Sequence, residues 1–432
     1  MRIGLFLESS SDEQGGGFQQ GLSTIEALTS KNGTTHEFLV FTPSEQTRQL
    51  LLKEGIKAIR FKEGVFRLID RWSATVVGNA VLRRLWRRGF RRVGRHLDAL
   101  LDDYRIDLVV LNEITDSVLR IGDHPFITTI WDLSHRDCPE FPETYADRAF
   151  ERRERQLANS LTRSLAVITN SPSGARQIAR VYQVDPARIV ELPFIPPLVI
   201  RRHAAGQGLA TAEDVRRKYE LPERYVFYPA YFTPFKNHLY ILEGLVELER
   251  RQGVVLSAVF CGGDGPPHRA TVERQVKALG LTARVRFLGF VPDEDIPALY
   301  EGALALVMPT YSGPTNLPPL EAVTLGCPVI YSDLPEFREQ MGEAALYCDL
   351  TDVSSLANHL ATLIQDSSVL KELKIKGRKL AAHIAKIDYG ERLAPIFDEY
   401  AYARRRWTWP EAPRDCVGLP NNPALGDRKK RR

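Results

Sequence analysis

ALALVMPTYSGPTNLPPLEAVTLGCPVIYSD, residues Ala303–Asp333, holds the signals of a strand, a loop, a helix and a second strand in one run. The apolar opening Ala303–Met308 reads as a strand buried on both faces, as in a parallel sheet covered by helices. Gly313, Pro314 and Asn316 mark a loop. Pro318 and Pro319 suit the start of a helix, where a missing N–H matters little. Glu321 is expected in the first turn of that helix, and Gly326–Cys327–Pro328 ends it before the strand Pro328–Ser332. Free N–H groups at such a helix start, beside the carboxyl end of a strand, form a ready site for a diphosphate.

The same alternation extends outward in both directions. Strands are predicted at Arg2–Leu7, Glu37–Thr42, Asp107–Asn112, Ile127–Asp132 and Leu165–Asn170 in the first half. Tyr225–Ala230, Val254–Cys261 and Val285–Leu288 precede the opening stretch in the second half. Strands alternating with helix-period segments define the α/β class. A chain of 432 residues exceeds one ordinary domain, so two are expected. Leu192–Asp214 carries three prolines and then a polar Gly/Ala stretch, and is read as the connection. The boundaries follow: a first domain over 1–197, a linker over 198–222, a second domain over 223–388, a C-terminal helix over 389–410 and a disordered basic tail over 411–432.

Composition removes several classes. No apolar run reaches the roughly 20 residues of a membrane-spanning helix. MRIGLFLESS at the start reads as a first strand and not as a signal-peptide core, which makes a cytoplasmic location the expectation. The five cysteines are scattered without a C-x-x-C pair, so neither a disulfide framework nor a zinc site is indicated. A net charge of +4 gives no general reason to expect nucleic-acid binding. Val81–His96 is locally different: Leu82, Leu85, Trp86, Phe90 and Val93 form one stripe and seven arginines cover the rest. Such a helix packs its stripe on the first sheet, lies peripherally on an anionic membrane surface or, as a weaker alternative, meets nucleic acid, a reading that leaves the motifs of the second half unexplained. Asp293–Glu294–Asp295 opens a helix after a proline, where acids are favoured in any case, and no metal or other cofactor is expected.

With these residues in place, Ala303–Asp333 resembles the signature of the family 4 glycosyltransferases. The usual form there is Glu-Gly-Phe-Gly-Leu-Pro-x-x-Glu-Ala followed by Gly-x-Pro-Val. Gly313 stands at the first Glu, Thr315–Asn316–Leu317–Pro318 at Phe-Gly-Leu-Pro and Glu321 at the second Glu. The stretch is closest to a bacterial subgroup reading Gly-Pro-Thr-Asn-x-Pro-Pro-Leu-Glu-Ala. YPAYFTPFKNH, Tyr228–His238, resembles the family's Gly-Arg-x-x-x-x-Lys element, with Lys236 at the Lys and Tyr231 at the Arg. CGGDGP (Cys261–Pro266), Val285–Ala303, GGGF (Gly15–Phe18) and TNSPSGARQI (Thr169–Ile178) resemble further family elements in the family's order.

The resemblance implies the GT-B architecture, two Rossmann-like domains facing across a cleft. It implies transfer of a hexose, mannose first, from a GDP-, UDP- or dTDP-sugar to a glycan or lipid-linked acceptor, with retention of configuration and in cell-surface polysaccharide assembly. The first domain would bind acceptor and the second donor, with 389–410 returning to the first domain and closure about Leu192–Asp214 and the segment near Tyr389. Lys236 would stabilise charge growing on the donor diphosphate, a contact worth roughly 4 kcal/mol at about 4 Å and an effective dielectric near 20. Glu321 would accept the ribose hydroxyls. Tyr231, Gly263, Gly313, Pro314, Thr315, Asn316 and Leu317 would complete the donor site, with Thr315 and Asn316 replacing part of the family Arg. Gly15, Gly16 and Gly17 would let the backbone approach the cleft. Trp131, Asp132, His135 and Arg136 would meet the acceptor, and His135 or Asp137 would take its proton, unless the leaving phosphate does so. Two other readings stay open: a catalytically weakened scaffold that binds sugar nucleotides, motivated by Gly313 and Tyr231, and another enzyme of this architecture such as an epimerase or phosphorylase.

Overall fold

A computed structural model describes residues 1–9, 16–29, 35–61, 95–208, 210–263 and 268–406. Gly15, residues 81–94 of the arginine-rich segment, 264–266 of the glycine turn and the 411–432 tail lie outside the described residues. Two fully parallel sheets organise the chain. The first has seven strands: β1 (Arg2–Phe6), β2 (Glu37–Thr42), β3 (Ala58–Arg60), β4 (Leu108–Leu111), β5 (Phe126–Ile130), β6 (Val167–Thr169) and β7 (Ile189–Glu191). They lie in the order β3-β2-β1-β4-β5-β6-β7. The second has six: β8 (Tyr225–Pro229), β9 (Ser257–Cys261), β10 (Val285–Phe287), β11 (Ala305–Met308), β12 (Val329–Ser332) and β13 (Leu346–Cys348), in the order β10-β9-β8-β11-β12-β13. Each is a doubly wound sheet whose order reverses beside its first strand, between β1 and β4 and between β8 and β11. Ligands of such sheets sit outside the carboxyl ends at that reversal.

The central strands form where the sequence is continuously apolar. Leu108, Val109, Val110 and Leu111 are all buried, as are Ala305, Leu306, Val307 and Met308. Each Leu, Val or Met side chain among them contributes roughly 1.5–3 kcal/mol on leaving water. All ten predicted strands are present: Glu37–Thr42 has its predicted bounds, Phe126–Ile130 begins and ends earlier than predicted, and the others are trimmed by up to three residues at an end. Three further strands, β3, β7 and β13, each have three residues.

The connection is more ordered than its composition suggested. Residues 198–222 hold a helix at Leu198–Arg202, a wide turn over His203–Gln207 and a helix at Ala212–Lys218. Thr211 caps the last by accepting the Asp214 N–H. Both sheets belong to one compact unit, Met1–Gly390, and Glu391–Arg432 forms a second. The helix Tyr389–Arg404, with Pro395 inside it, crosses that boundary. Among the described residues no helix is long and apolar enough to cross a membrane.

Helix His238–Gln252 packs on helix Val353–Gln365 through Gly244, where an added Cβ would come 2.5 Å from Leu356. Gly244→Ala is expected to overpack that contact by about 1–3 kcal/mol. The measurement is a thermal unfolding scan, with the midpoint falling by several degrees; an unchanged midpoint would mean the two helices are free to separate.

Candidate functional site

The carboxyl ends of β1, β5, β8, β9 and β11 surround a cavity of about 490 Å³. Gly16 and Gly17 open the helix that follows β1, and both line the cavity. A Cβ on Gly17 would lie inside the Trp131 ring, so the glycine is required for the indole to pack there. On the facing side, Gly262 has φ of +153°, and a Cβ there would collide with the Ala230 carbonyl. Gly263 abuts the Tyr231 ring in the same way. Gly262 thus permits close backbone approach, and Gly17 and Gly263 leave room for aromatic rings.

Lys236 follows β8 in a short 3-10 turn, Pro234–Lys236, closed by Asn237 in the left-handed region. Its ammonium lies 4.8 Å from the centre of the Phe235 ring and 3.5 Å from Asn316 Oδ1. Among the described residues it makes no ion pair. Burial brings its pKa down to about 8, partly countered by the charge of Asp132. Asn316 is held from three directions: Nδ2 donates to the Tyr331 hydroxyl at 2.7 Å, its N–H donates to Gln340 Oε1 at 3.1 Å, and its carbonyl accepts from Gln340 Nε2 at 2.6 Å. That network presents Oδ1 to the lysine. The Thr315 hydroxyl is buried without a partner beside them.

Glu321 is the fifth residue of helix Leu317–Thr324, in its second turn and not its first. Tyr300 donates to its Oε2 at 2.7 Å. Burial pushes its pKa up to about 7 against that hydrogen bond, and the nearby Asp293 charge adds to the rise. Asp293 accepts from Gln19 at 2.8 Å, and burial also raises it. Asp295 is occupied elsewhere, by Lys218 at 2.6 Å and Tyr219 at 2.7 Å. The helix start offers fewer donors than expected. Pro318 and Pro319 remove two of the first N–H groups, and Gln340 takes that of Asn316.

Lys236, Tyr231, Gly263, Gly313, Thr315, Asn316, Leu317, Glu321, Gly16, Gly17, Trp131 and Asp132 thus share one cavity. Pro314 does not, because it lines a neighbouring one. Gly313 has φ of +110°, a conformation that L side chains rarely adopt, which accounts for glycine at this position. The acceptor cluster divides. Trp131 packs edge-on to Phe194 at the cavity. Burial would raise the Asp132 pKa, but the Arg153 guanidinium at 2.8 Å and the Ser134 amide outweigh it and hold the group low. His135 is buried and turned away, with Nε2 2.7 Å from Glu154 Oε1. Arg136 and Tyr182 close on the same carboxylate, and the Arg136 bond leads in lowering Glu154 to about 2. Asp137 bonds Gln177 and lines the neighbouring cavity. The expected acceptor contacts of His135 and Arg136 at this cavity, and the proton-accepting role of His135, are therefore corrected, because both side chains turn to Glu154; Asp137 lies off this cavity, on the neighbouring one. Tyr300, Tyr331, Gln340, Asp293 and Phe290 belong to the site or its support and were given no role from the sequence, although all but Gln340 lay in stretches singled out there.

Comparison with known proteins follows this geometry. Residues 212–380 match the family described as Glycosyl transferases group 1. The chain is similar to the O-antigen chain mannosyltransferase B of Escherichia coli, 30% identical over 247 residues, which are 56% of this chain and 62% of that protein. It thus spans less than two thirds of the length of that curated relative. Among solved structures, a glycosyltransferase from Rickettsia africae superposes with a TM-score of 0.65 at 15% identity, covering 94% of this chain and 98% of the other. Anabaena Alr3699/HepE in complex with UDP gives 0.62 at 17% identity, covering 94% and 100%. The fold is the GT-B architecture.

A half-buried ammonium near pKa 8 binds anions while protonated, so the sign is set: anion affinity is full below about 8 and declines above it. Sulfate keeps a constant charge over this range. The part of its thermal stabilisation that Lys236→Met removes should shrink as pH rises from 7 to 9, read by unfolding midpoints. A difference independent of pH would show that Lys236 does not titrate there.

Proposed function

We propose that the chain is a glycosyltransferase that moves a hexose from a nucleotide-sugar donor to a glycan or lipid-linked acceptor in polysaccharide synthesis, with retention of configuration. The observation that carries this reading is the joint placement of Lys236, Thr315, Asn316 and Glu321 on one cavity at the order reversal of the second sheet. The group 1 match over 212–380 and the mannosyltransferase relative support it, and mannose is the first sugar to test. UDP in the Anabaena neighbour and the GDP- and dTDP-sugars define the nucleotide panel. The first sheet would carry the acceptor and the second the donor.

The residues divide the work as follows. As the anomeric carbon–oxygen bond to the diphosphate breaks, negative charge grows on the leaving oxygen. Lys236 opposes it directly, and the unpaired Thr315 hydroxyl donates to a phosphate oxygen. Ionised Glu321 accepts ribose hydroxyls through Oε1 while Tyr300 holds Oε2. The new bond forms to an acceptor hydroxyl oxygen, whose proton passes to the departing phosphate. Asp132, the carboxylate beside Lys236, is held low by Arg153 and is a weak base for that proton.

Two outcomes test the roles. Lys236→Ala should lower turnover by orders of magnitude with the unfolding midpoint retained, measured as nucleotide release in the presence of acceptor; near-wild-type turnover contradicts it. Nucleotide affinity should be highest between about pH 7 and about pH 8, because Glu321 protonates below the first value and Lys236 loses its proton above the second. Calorimetric titrations in EDTA across this range should show Glu321→Gln losing the acid limb alone; an acid limb that persists in the variant removes Glu321 from ribose binding.

A further inference from the structure

Pro314 and Asp137 both fall on a second cavity, of about 540 Å³, beside the first. Ser312 and Gly313 line both. At Gly313 the wall between them is backbone alone, where the family signature carries a glutamate side chain. We propose that this second cavity is the acceptor-saccharide subsite and that it takes a neutral oligosaccharide. The inference rests on the glycosyl-transfer reading above and adds where the acceptor lies and what class it is.

The lining is suited to hydroxyls and unsuited to a single strong charge. Arg176 and Arg180 project from helix Pro172–Tyr182, and Asp137 and Glu336 face the same space. Two guanidiniums and two carboxylates cancel, so a phosphate head would meet repulsion as well as attraction. Sugar hydroxyls donate to the carboxylates and accept from guanidinium and amide N–H groups at once. Gln177 bonds Asp137 within the cavity and adds both kinds of group. Arg176 already spans to Glu339 at 3.0 and 3.3 Å, whereas Arg180 has no side-chain partner among the described residues.

One aromatic face completes the set. Tyr311 is 37% exposed, and its position is fixed from behind. Its N–H donates to the Phe235 carbonyl at 2.9 Å, its ring lies 5.3 Å from Phe141, and its carbonyl accepts from Cys138 Sγ at 3.5 Å. A rigid exposed ring over a polar-lined cleft is a platform for the apolar face of a sugar. Tyr311 follows the end of β11 by three residues and precedes Ser312 and Gly313 of the shared wall, so a sugar on its ring lies near Gly313.

The test is calorimetric titration of linear α-mannotriose into the full chain, with and without UDP or GDP. Wild type should bind, Tyr311→Ala and Gln177→Ala should each bind about tenfold more weakly or worse, and Tyr311→Phe should restore the affinity. Nucleotide affinity should be the same in all of them. Failure of wild type to bind the trisaccharide, or equal binding by the alanine variants, overturns the assignment. Loss of nucleotide binding by wild type contradicts the donor reading instead, and the trisaccharide arm still decides this one.

Discussion

A half-buried ammonium with no carboxylate in ion-pair range is unfavourable by itself, and the donor cavity is organised around one. Burial lowers the affinity of Lys236 for its proton, and Asp132 returns only part of it. A carboxylate in direct contact would satisfy the lysine and abolish its attraction for a ligand. The structure instead ties Asp132 to Arg153 and leaves Asn316, a neutral group, as the hydrogen-bond partner of Lys236. An incoming anion then supplies the missing charge. Tyr331 and Gln340 fix Asn316, and the buried strand ends fix both the lysine turn and the signature loop. The rest of the site is arranged around that unmet charge.

The same logic separates the two cavities. Among the described residues, the first cavity has one cation without an ion pair, a buried unpaired hydroxyl and a carboxylate poised near neutrality, a set that suits a diphosphate and a ribose. The neighbouring side has charges of both signs in equal number and an exposed ring. Between them, a glutamate at position 313 would have to adopt φ of +110°. The difference from the family 4 signature that this stretch resembles therefore accompanies a backbone conformation that favours glycine.

Much of this was legible because parallel strands buried on both faces write continuous apolar runs, and because the glycines at 262 and 313 answer to backbone constraints and Gly17 to the Trp131 ring. What stayed hidden has physical reasons. β3, β7 and β13 are three-residue strands at or near the sheet edges, mixing apolar and polar residues with too little length for a pattern. The Pro- and Gly-containing connection reads as a linker, yet local capping by Thr211 gives it helical turns. His135 follows a strand by a few residues, and nothing local says which way it turns. Its direction is set by Glu154, nineteen residues on in another helix. The twin prolines mark the helix start correctly while removing two of the N–H donors that made such a start attractive for phosphate.

The central claim is that the unmet charge of Lys236 marks where a donor diphosphate sits. The most direct measurement is a crystal structure of the chain with UDP or GDP, whichever binds. The account predicts a phosphate oxygen within about 4 Å of Lys236 Nζ, the Thr315 hydroxyl donating to the diphosphate, and the ribose on Glu321. A nucleotide bound with its phosphates on Arg176 and Arg180 in the second cavity, and Lys236 still facing only Asn316, would contradict it.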